Sequence, residues 1–349
     1  MSVAAAIRGG DVSRLPSRRD EDWRWTDLRG LIRALPSPSP AEGEVTPGGP
    51  WGEIRSDEFL VVNGRHRYGP GWIRVAAGDH PTARLRWAAT ADAGAHVGQT
   101  RITVGRGASL VLLESHEGPA EGAYVASAEL DIALDEGARL DRVILANEAA
   151  DAVTVSHAAV RLAPGATFRQ TVLASGAKRQ RFETRLRHGG GGASVQLDGL
   201  YVLGDARHSD QTTEVVHETT DGTTSQLTKG VAIGRSRGVF QGRIVVAHGA
   251  DRTDARMGHH ALILSEQAEI DAKPELEIYA DDVQCAHGNT IGALDEAALF
   301  YARTRGIPED DARALLTEAF LGEVIDRISN EPAREVARAW VSERLRRLR

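Results

Sequence analysis

The residues best suited to metal or sulfur chemistry lie in one short segment near the end of the chain. Residues 280–292, ADDVQCAHGNTIG, contain Cys285, the only cysteine among 349 residues, and His287 follows two positions later. Thiolate sulfur and imidazole nitrogen are ligands for zinc and for iron–sulfur clusters. In the preceding PELEIY, the apolar Leu276 and Ile278 alternate with polar residues. If this strand pattern continues, side chains two positions apart project together, so Cys285 and His287 share a face.

Two ligands do not complete a metal site. Structural zinc takes four ligands and an iron–sulfur cluster usually takes four thiolates or their equivalents, whereas this chain has one thiol. His248, His259 and His260 precede the pair and are candidates for additional imidazole ligands, although a single histidine of this kind is more often hydrogen-bonded within the fold or exposed. Cys285 is also compatible with an inert, buried thiol. The pair is therefore either structural or one part of a ligand set that a second chain completes.

The common catalytic motifs give little support for an enzyme. The chain lacks G-x-x-x-x-G-K-[ST], so we expect no nucleotide bound through a P-loop. Residues 234–238, GRSRG, match G-x-S-x-G, but a strand-like VFQGRIVV follows instead of the helix that a nucleophilic Ser236 would need. Asp251, Asp254 and Arg256 resemble the carboxylates and arginine of a polysaccharide-cleaving β-helix, or simply form a solvated turn. We expect no catalytic residues, with a carbohydrate-active enzyme as the alternative.

The overall composition indicates which classes of binding partner and which cellular compartment to expect. Lys and Arg number 42 against 49 Asp and Glu, which gives a formal charge of -7. No extended basic face indicates nucleic-acid binding. A single cysteine forms no intramolecular disulfide, and the opening residues contain no apolar run of signal-peptide length. We therefore expect a cytoplasmic protein without nucleic-acid or membrane partners.

From about residue 100 the sequence repeats. A glycine followed by a strand-like run recurs at intervals of 30, 28, 27, 30 and 27 residues, at Gly107, Gly137, Gly165, Gly192, Gly222 and Gly249. This period indicates a solenoid, and the short, alternating, β-branched runs favour a parallel β-helix over leucine-rich or helical repeats. Each glycine is expected at a corner with positive φ. A β-sandwich with glycine-rich turns is the alternative.

The segments on either side of the repeats have different patterns. Residues 15–35, with Trp23 among charged residues, suit a short amphipathic helix, and residues 36–50 contain too many Pro and Gly for anything but a mobile linker. Asn63 and Gly64 predict a hairpin turn. The expected organisation is an N-terminal helical segment, linker and hairpin at 1–80, a parallel β-helix core at 81–293 and a C-terminal helical domain at 294–349.

Three helices are predicted in the last segment. The first has Asp295 as N-cap and ends near Gly306, the second begins near Pro308, and the third follows Pro332. The last rung of a β-helix exposes unpaired backbone, so these helices are candidates for a cap over that rung. Three helices exceed what one edge needs. A docking surface for another protein is therefore an equally good interpretation.

Residues 238–307 closely resemble the C-terminal core of the SufB/SufD family of iron–sulfur cluster assembly proteins, above all in KPELEIYADDVQCAHG and LFYARTRGI. Upstream, DEDWRWTDL and FLVVNG are similar to the N-terminal signatures of the family. SufB-type chains carry a cysteine in the motif F-Y-C-x-x-R-G-I, where this chain has Ala302. The resemblance is therefore to a SufD-like member.

The resemblance implies a right-handed parallel β-helix with helical ends, acting as a non-enzymatic scaffold in the SUF system. It implies pairing with a SufB-like paralogue through the β-helix and docking of a SufC-like ABC-type ATPase by the C-terminal helices. Independently of the resemblance, exposed β-helix edges would allow the isolated chain to form a homodimer. His287, with Cys285, would face a nascent iron–sulfur cluster or iron at the interface, and none would be tightly bound to the isolated chain. His259 and His260 replace residues that are often Gln and Asn in the family. A purely architectural subunit is the remaining alternative.

Overall fold

A computed structural model describes residues 2–348, so the first and last residues of the expected terminal segments lie outside it. The described residues contain five α-helices, which are α1 (Val3–Gly9), α2 (Leu28–Leu31), α3 (Glu296–Thr304), α4 (Glu309–Ile325) and α5 (Glu331–Arg347). They also contain the strands β1 (Asp57–Val62), β2 (Arg65–Tyr68), β3 (Trp72–Val75), β4 (Thr82–Ala88), β5 (Ala95–Val104), β6 (Ser109–Glu117), β7 (Val125–Leu134), β8 (Arg139–Asn147), β9 (Val153–Leu162), β10 (Thr167–Ala174), β11 (Arg179–His188), β12 (Ser194–Leu203), β13 (His208–His217), β14 (Thr223–Ala232), β15 (Arg237–Val246), β16 (Thr253–Ile263), β17 (Glu269–Ile278) and β18 (Val283–Gly292).

The strands alternate between two sheets. The even-numbered strands from β4 to β18, with β1 and β2, form a ten-stranded sheet, and the odd-numbered strands from β3 to β17 form an eight-stranded sheet. Each strand from β4 onward pairs in parallel with the strand two positions along the chain. The chain is therefore a parallel β-solenoid of about eight turns, as predicted. The antiparallel ladders of a β-sandwich are not the arrangement found.

The repeated glycines lie at the corners between strands. Their φ angles are 64°, 64°, 66° and 70° at Gly107, Gly137, Gly165 and Gly192. A Cβ atom at Gly107 would meet no atom within 4 Å, so backbone conformation and not space requires glycine there. In the repeat at Gly222 the left-handed residue is the preceding Asp221, with φ 61°, because aspartate tolerates this region better than most residues.

Stacking of the turns aligns inward side chains into columns along the solenoid. Leu110, Leu140, Phe168 and Val195 are neighbours on four successive strands of the ten-stranded sheet, and each is at most 2% exposed. Complete burial of one such side chain contributes roughly 1.5–3 kcal/mol to folding. These apolar columns hold the coil together and fix the register of each new turn.

A buried ion pair interrupts the apolar interior. Arg142 and Glu114 are 2.7 Å apart with side chains 1% and 0% exposed, and Arg142 also donates to Gln170 Oε1 at 2.7 Å. Burial by itself would raise the pKa of Glu114, but Arg142, with help from His116, lowers it to about 2. The carboxylate therefore stays ionised inside the solenoid because the guanidinium is there.

Replacing Arg142 with methionine is expected to destabilise the protein by about 3–5 kcal/mol, because the buried Glu114 would lose the charge that compensates it and would keep only its hydrogen bonds to His116 and Trp87. Urea unfolding at pH 7.5 measures this loss. The matched control is Arg161→Met, which removes an exposed pair with Asp131 whose side chains are 58% and 31% exposed. This control substitution should lower the free energy of unfolding by about 1 kcal/mol or less. Equal losses in the two variants would contradict the expectation.

The predicted amphipathic helix over residues 15–35 is wrong for most of its length. Only a single 3-10 turn at Glu21–Trp23 and the four-residue α2 are helical there. The segment instead crosses the outer face of the eight-stranded sheet, where Trp23 stacks on the buried Arg181 at 4.2 Å and Thr26 donates to Asp210. These contacts with the sheet outweigh the helical preference of the local sequence.

The region between this segment and the solenoid is irregular, as the sequence predicts. Residues 36–50 contain no helix or ladder strand, apart from an isolated bridge between Pro38 and Ala95. Asn63 and Gly64 have φ angles of 49° and 81°, and they join β1 to β2 as the predicted hairpin turn. Strand β1 also pairs in parallel with β4, so the hairpin continues the ten-stranded sheet.

The three predicted C-terminal helices are present. The side chain of Asp295 accepts hydrogen bonds from two backbone N–H groups of α3, and Gly306 ends that helix region with a φ of 85°. Helices α4 and α5 pack on the outer face of the ten-stranded sheet, against β12 and β14. Outward apolar residues such as Leu200 and Leu227 require this cover. For α4 and α5, the interpretation as a cap over the last rung is therefore wrong. Among residues 2–348, no helix has the length and apolar character needed to cross a bilayer.

Candidate functional site

The last turn of the solenoid is open. Strands β17 and β18 are the terminal strands of their two sheets, and each has a neighbour on one side only. Residues 286–292 of β18 are all exposed. Each terminal strand therefore presents a row of unpaired backbone N–H and C=O groups, which is the usual template for pairing with another strand.

Cys285 and His287 lie on this open turn and on the same face. Cys285 aligns with Ala255 and His287 with Met257, and these two neighbours on β16 are 0% and 3% exposed in the interior. The face that is interior in every earlier turn has no turn above it here, so Cys285 is half-buried and His287 is exposed. The predicted alternation is confirmed, and both groups are accessible from the end of the coil.

The thiol of Cys285 is held in its protonated form. Burial raises its pKa above the usual value, the hydrogen bond from the backbone N–H of Ala255 opposes that rise, and the carboxylate of Asp254 adds to it. A thiolate is the form that binds metals or attacks sulfur. Ligation by Cys285 therefore needs a metal ion or a base that favours loss of the proton.

The other histidines do not complete a ligand set. The ring of His248 lies 5.7 Å from Tyr279, and His260 faces the outside of the sheet, 2.7 Å from Thr290 Oγ1. His259 is buried inside and bonded at both nitrogens. Within residues 2–348, no group of three or more His, Cys, Asp or Glu side chains is arranged to hold a metal ion. The prediction that these histidines add ligands is not supported.

The sequence did not predict Asn289 as a site residue. It follows His287 by two positions and shares its face, and its Oδ1 lies 2.7 Å from Nδ1 of His259. An asparagine in a Gly-rich strand has no metal-ligand signature. Only the register of β16 against β18 brings it together with a histidine 30 residues earlier.

The sites considered for other chemistry are not assembled. Ser236 is 0% exposed, and its Oγ accepts from the backbone N–H of Ile233 at 3.1 Å, which makes it part of a turn. Arg256 pairs with Asp254 at 3.1 Å, with side chains 68% and 46% exposed. This is a solvated surface pair, and it does not form the converging carboxylates of a glycosidase.

An apolar surface is exposed on the C-terminal helices. Phe300 and Tyr301 on α3 are 69% and 60% exposed, and Leu315 on α4 is 53% exposed. Only Leu299 of α3 is fully buried. Large exposed apolar side chains that lie together are typical of protein interaction surfaces.

Several known proteins similar to this chain are described as iron–sulfur cluster assembly proteins. Residues 87–320 match the family model described as SUF system FeS cluster assembly, SufBD core domain. The chain is 27% identical over 379 residues to the iron-sulfur cluster assembly protein SufD of Escherichia coli strain K12, covering 95% of this chain and 89% of that protein. It is 30% identical over 360 residues to an iron-sulfur cluster assembly SufBD family protein of Mycobacterium leprae, covering 93% and 89%. It is 31% identical over 154 residues to SufD of Bacillus subtilis strain 168, covering 40% and 35%.

Proposed function

Because the chain belongs to the SufBD family of SUF iron–sulfur cluster assembly proteins and is SufD-like, we propose that it is a non-enzymatic scaffold subunit whose cluster site is completed by a SufB-like partner. The observation that carries the proposal is the location of Cys285 and His287 on one accessible face of the open last turn. A nascent cluster or an iron ion is the cargo of this site.

The open turn supports pairing with a paralogous solenoid. A partner with the same fold would bring its own terminal strands to the free edges of β17 and β18, satisfying backbone groups that water now solvates. Such pairing would put the partner's ligands opposite Cys285 and His287. Two ligands from this chain and the remainder from the partner make up the four that a cluster requires.

The C-terminal helices support docking of an ATPase. Phe300 and Tyr301 on α3 and Leu315 on α4 are exposed apolar side chains on two helices that pack against each other, and α4 packs on the solenoid. The sequence has no P-loop, so any nucleotide-driven step must come from another subunit. We propose that a SufC-like ATPase of the ABC type binds to this surface.

The proposal is tested by co-expressing the chain with a SufB-like and a SufC-like protein and purifying it through a tag on this chain. We expect all three to co-purify, with iron and acid-labile sulfide on the complex after reconstitution and little on the chain alone. A matched variant, Ile291→Lys, adds a charge to the open turn, where Ile291 is 42% exposed, and should release the SufB-like partner. A stoichiometric cluster on the isolated chain, or the absence of any complex, would contradict the proposal.

Replacing Phe300 and Tyr301 together with serine is expected to weaken binding of the SufC-like ATPase at least tenfold, because aromatic anchors dominate such interfaces. Pairing with the SufB-like partner should be unchanged. Titration calorimetry or a quantitative pull-down measures the loss. The control is Tyr68→Ser, which removes an aromatic side chain that is 55% exposed at the opposite end of the coil. A weaker ATPase complex in the control would place the docking surface elsewhere.

A further inference from the structure

A buried histidine supports the open turn from below. His259 is 0% exposed and its ring stacks on Phe240, with centroids 4.8 Å apart and planes within 4°. Its Nε2 lies 3.0 Å from Oη of Tyr201, and its Nδ1 lies 2.7 Å from Oδ1 of Asn289. The imidazole therefore connects the dry interior to an exposed side chain on β18, and its position is fixed on three sides.

The hydrogen bonds define which atoms of Asn289 face outward. A carboxamide oxygen accepts only, so the proton lies on Nδ1 of His259, which donates it to Oδ1 of Asn289. Burial lowers the pKa of His259 to about 4, which keeps the ring neutral at physiological pH. Its Nε2 then accepts from the hydroxyl of Tyr201. With Oδ1 engaged, Asn289 has its Nδ2 amide group left to donate.

Three side chains are lined up on the open face. Cys285, His287 and Asn289 occupy alternate positions of β18 and all point to the side that is interior in the earlier turns. The first two are ligand types for iron and sulfur. The third is a hydrogen-bond donor in a fixed orientation beside them.

We propose that Asn289 is a third cargo-facing residue and that its Nδ2 amide donates a hydrogen bond to a sulfide or thiolate sulfur of the nascent cluster. This inference rests on the function proposed above and deepens it. Hydrogen bonds to cluster sulfurs stabilise the anionic cluster and raise its reduction potential. His259 is a positioning residue, because it aims the amide without itself reaching the open face.

The same strand offers a matched control on its other face. His260, next to His259, lies 2.7 Å from Thr290 Oγ1 on the outer side of the sheet. The two histidines therefore hold β18 from both faces, with bonds of equal length. Removing the Thr290 bond loosens the strand in the same way but leaves the inward amide in place.

The experiment compares Asn289→Asp with Thr290→Val in the complex of this chain with its SufB-like and SufC-like partners, reconstituted with iron and sulfide. Asn289→Asp keeps the size and still accepts from His259, but it presents a carboxylate oxygen where the amide was. We expect acid-labile sulfide to fall at least tenfold and any remaining cluster to have a more negative reduction potential. Thr290→Val should match the unmodified complex in both measurements, and Asn289→Ala should give an intermediate loss without the added charge.

Each outcome decides the inference. Unchanged sulfide and potential in Asn289→Asp, or equal losses in Thr290→Val, would overturn the role of the amide while leaving the proposed function intact. Failure of the unmodified complex to hold a cluster would overturn the proposed function itself, and the inference with it. If Asn289→Asp does not join the complex, the comparison of Asn289→Ala with Thr290→Val decides in its place.

Discussion

Replacement of His287 with alanine is expected to abolish cluster assembly by the complex while the chain folds and binds its partners as before. The side chain is exposed on the open turn, and within residues 2–348 it has no hydrogen bond or ion pair, so its removal leaves no buried group unsatisfied. Loss of supporting residues around a metal typically costs 10–100-fold in affinity, and we expect loss of a direct ligand to cost at least about that much.

Iron and acid-labile sulfide on the purified complex measure the effect, and co-purification of the three proteins reports on assembly. His80→Ala is the control, because His80 is also exposed but lies near the first turns of the coil. Cys285→Ser, made in parallel, shows whether thiol and imidazole act together. A complete cluster in the His287→Ala complex would favour the purely architectural role in which both groups are inert.

Acidification is expected to destabilise the protein from about pH 6.5 downward, where its carboxylates are still ionised. His208, His217 and His259 are each at most 1% exposed. Burial is the main cause that lowers their pKa values to about 4, about 3 and about 4. The unfolded chain binds protons at these positions below about pH 6.5, whereas the folded chain resists them, so stability falls as the pH decreases. Together, the three histidines lower the free energy of unfolding by on the order of 9 kcal/mol between neutral pH and pH 4. This loss is comparable to the whole stability of a typical domain.

Urea unfolding at pH 7.5, 6.5, 5.5 and 4.5 tests this expectation, and the free energy of unfolding should decline steeply between the last two values. His217→Gln should reduce the slope by about 1.4 kcal/mol per pH unit, because one proton fewer is linked to unfolding. The exposed His80→Gln serves as the control and should retain the full slope. A free energy of unfolding that is constant from pH 6.5 to 4.5 would show that these histidines are protonated in the fold. Below about pH 4.5 the carboxylate of Glu114, whose pKa is about 2, adds to the loss.

The parts of the fold that repeat were predictable, and the parts that depend on distant contacts were not. The corner at Gly107 recurs because each turn needs one left-handed residue, so the period appears directly in the sequence. The segment around Trp23 looked helical, but Arg181 and Asp210, more than 150 residues away, hold it in another conformation. The location of the C-terminal helices depended on the outward residues of β12 and β14, whose need for cover becomes apparent only once the sheet is known.

The candidate site was also only partly predictable from the sequence. Alternation within one strand was enough to predict that Cys285 and His287 share a face. The contact between His259 and Asn289 joins two strands at a separation of 30 residues, and only the strand register defines it. His259 and His260 departed from the expected residue types without an evident reason, and their hydrogen bonds to β18 now supply one.

Because the turns of the solenoid are nearly equivalent, the chain can gain or lose a whole turn without changing the pairing of the turns that remain. A turn added or removed in the middle of the coil, for example at the corner of Gly165, would leave its neighbours in the same register, because each strand of the coil forms its ladder hydrogen bonds only with the strands directly above and below it in the same sheet. The open turn, being the last, would keep its geometry whatever the number of turns beneath it. We expect evolution to tolerate duplication or deletion of whole turns in this protein, and to tolerate far less the insertion of a few residues within β16 or β18.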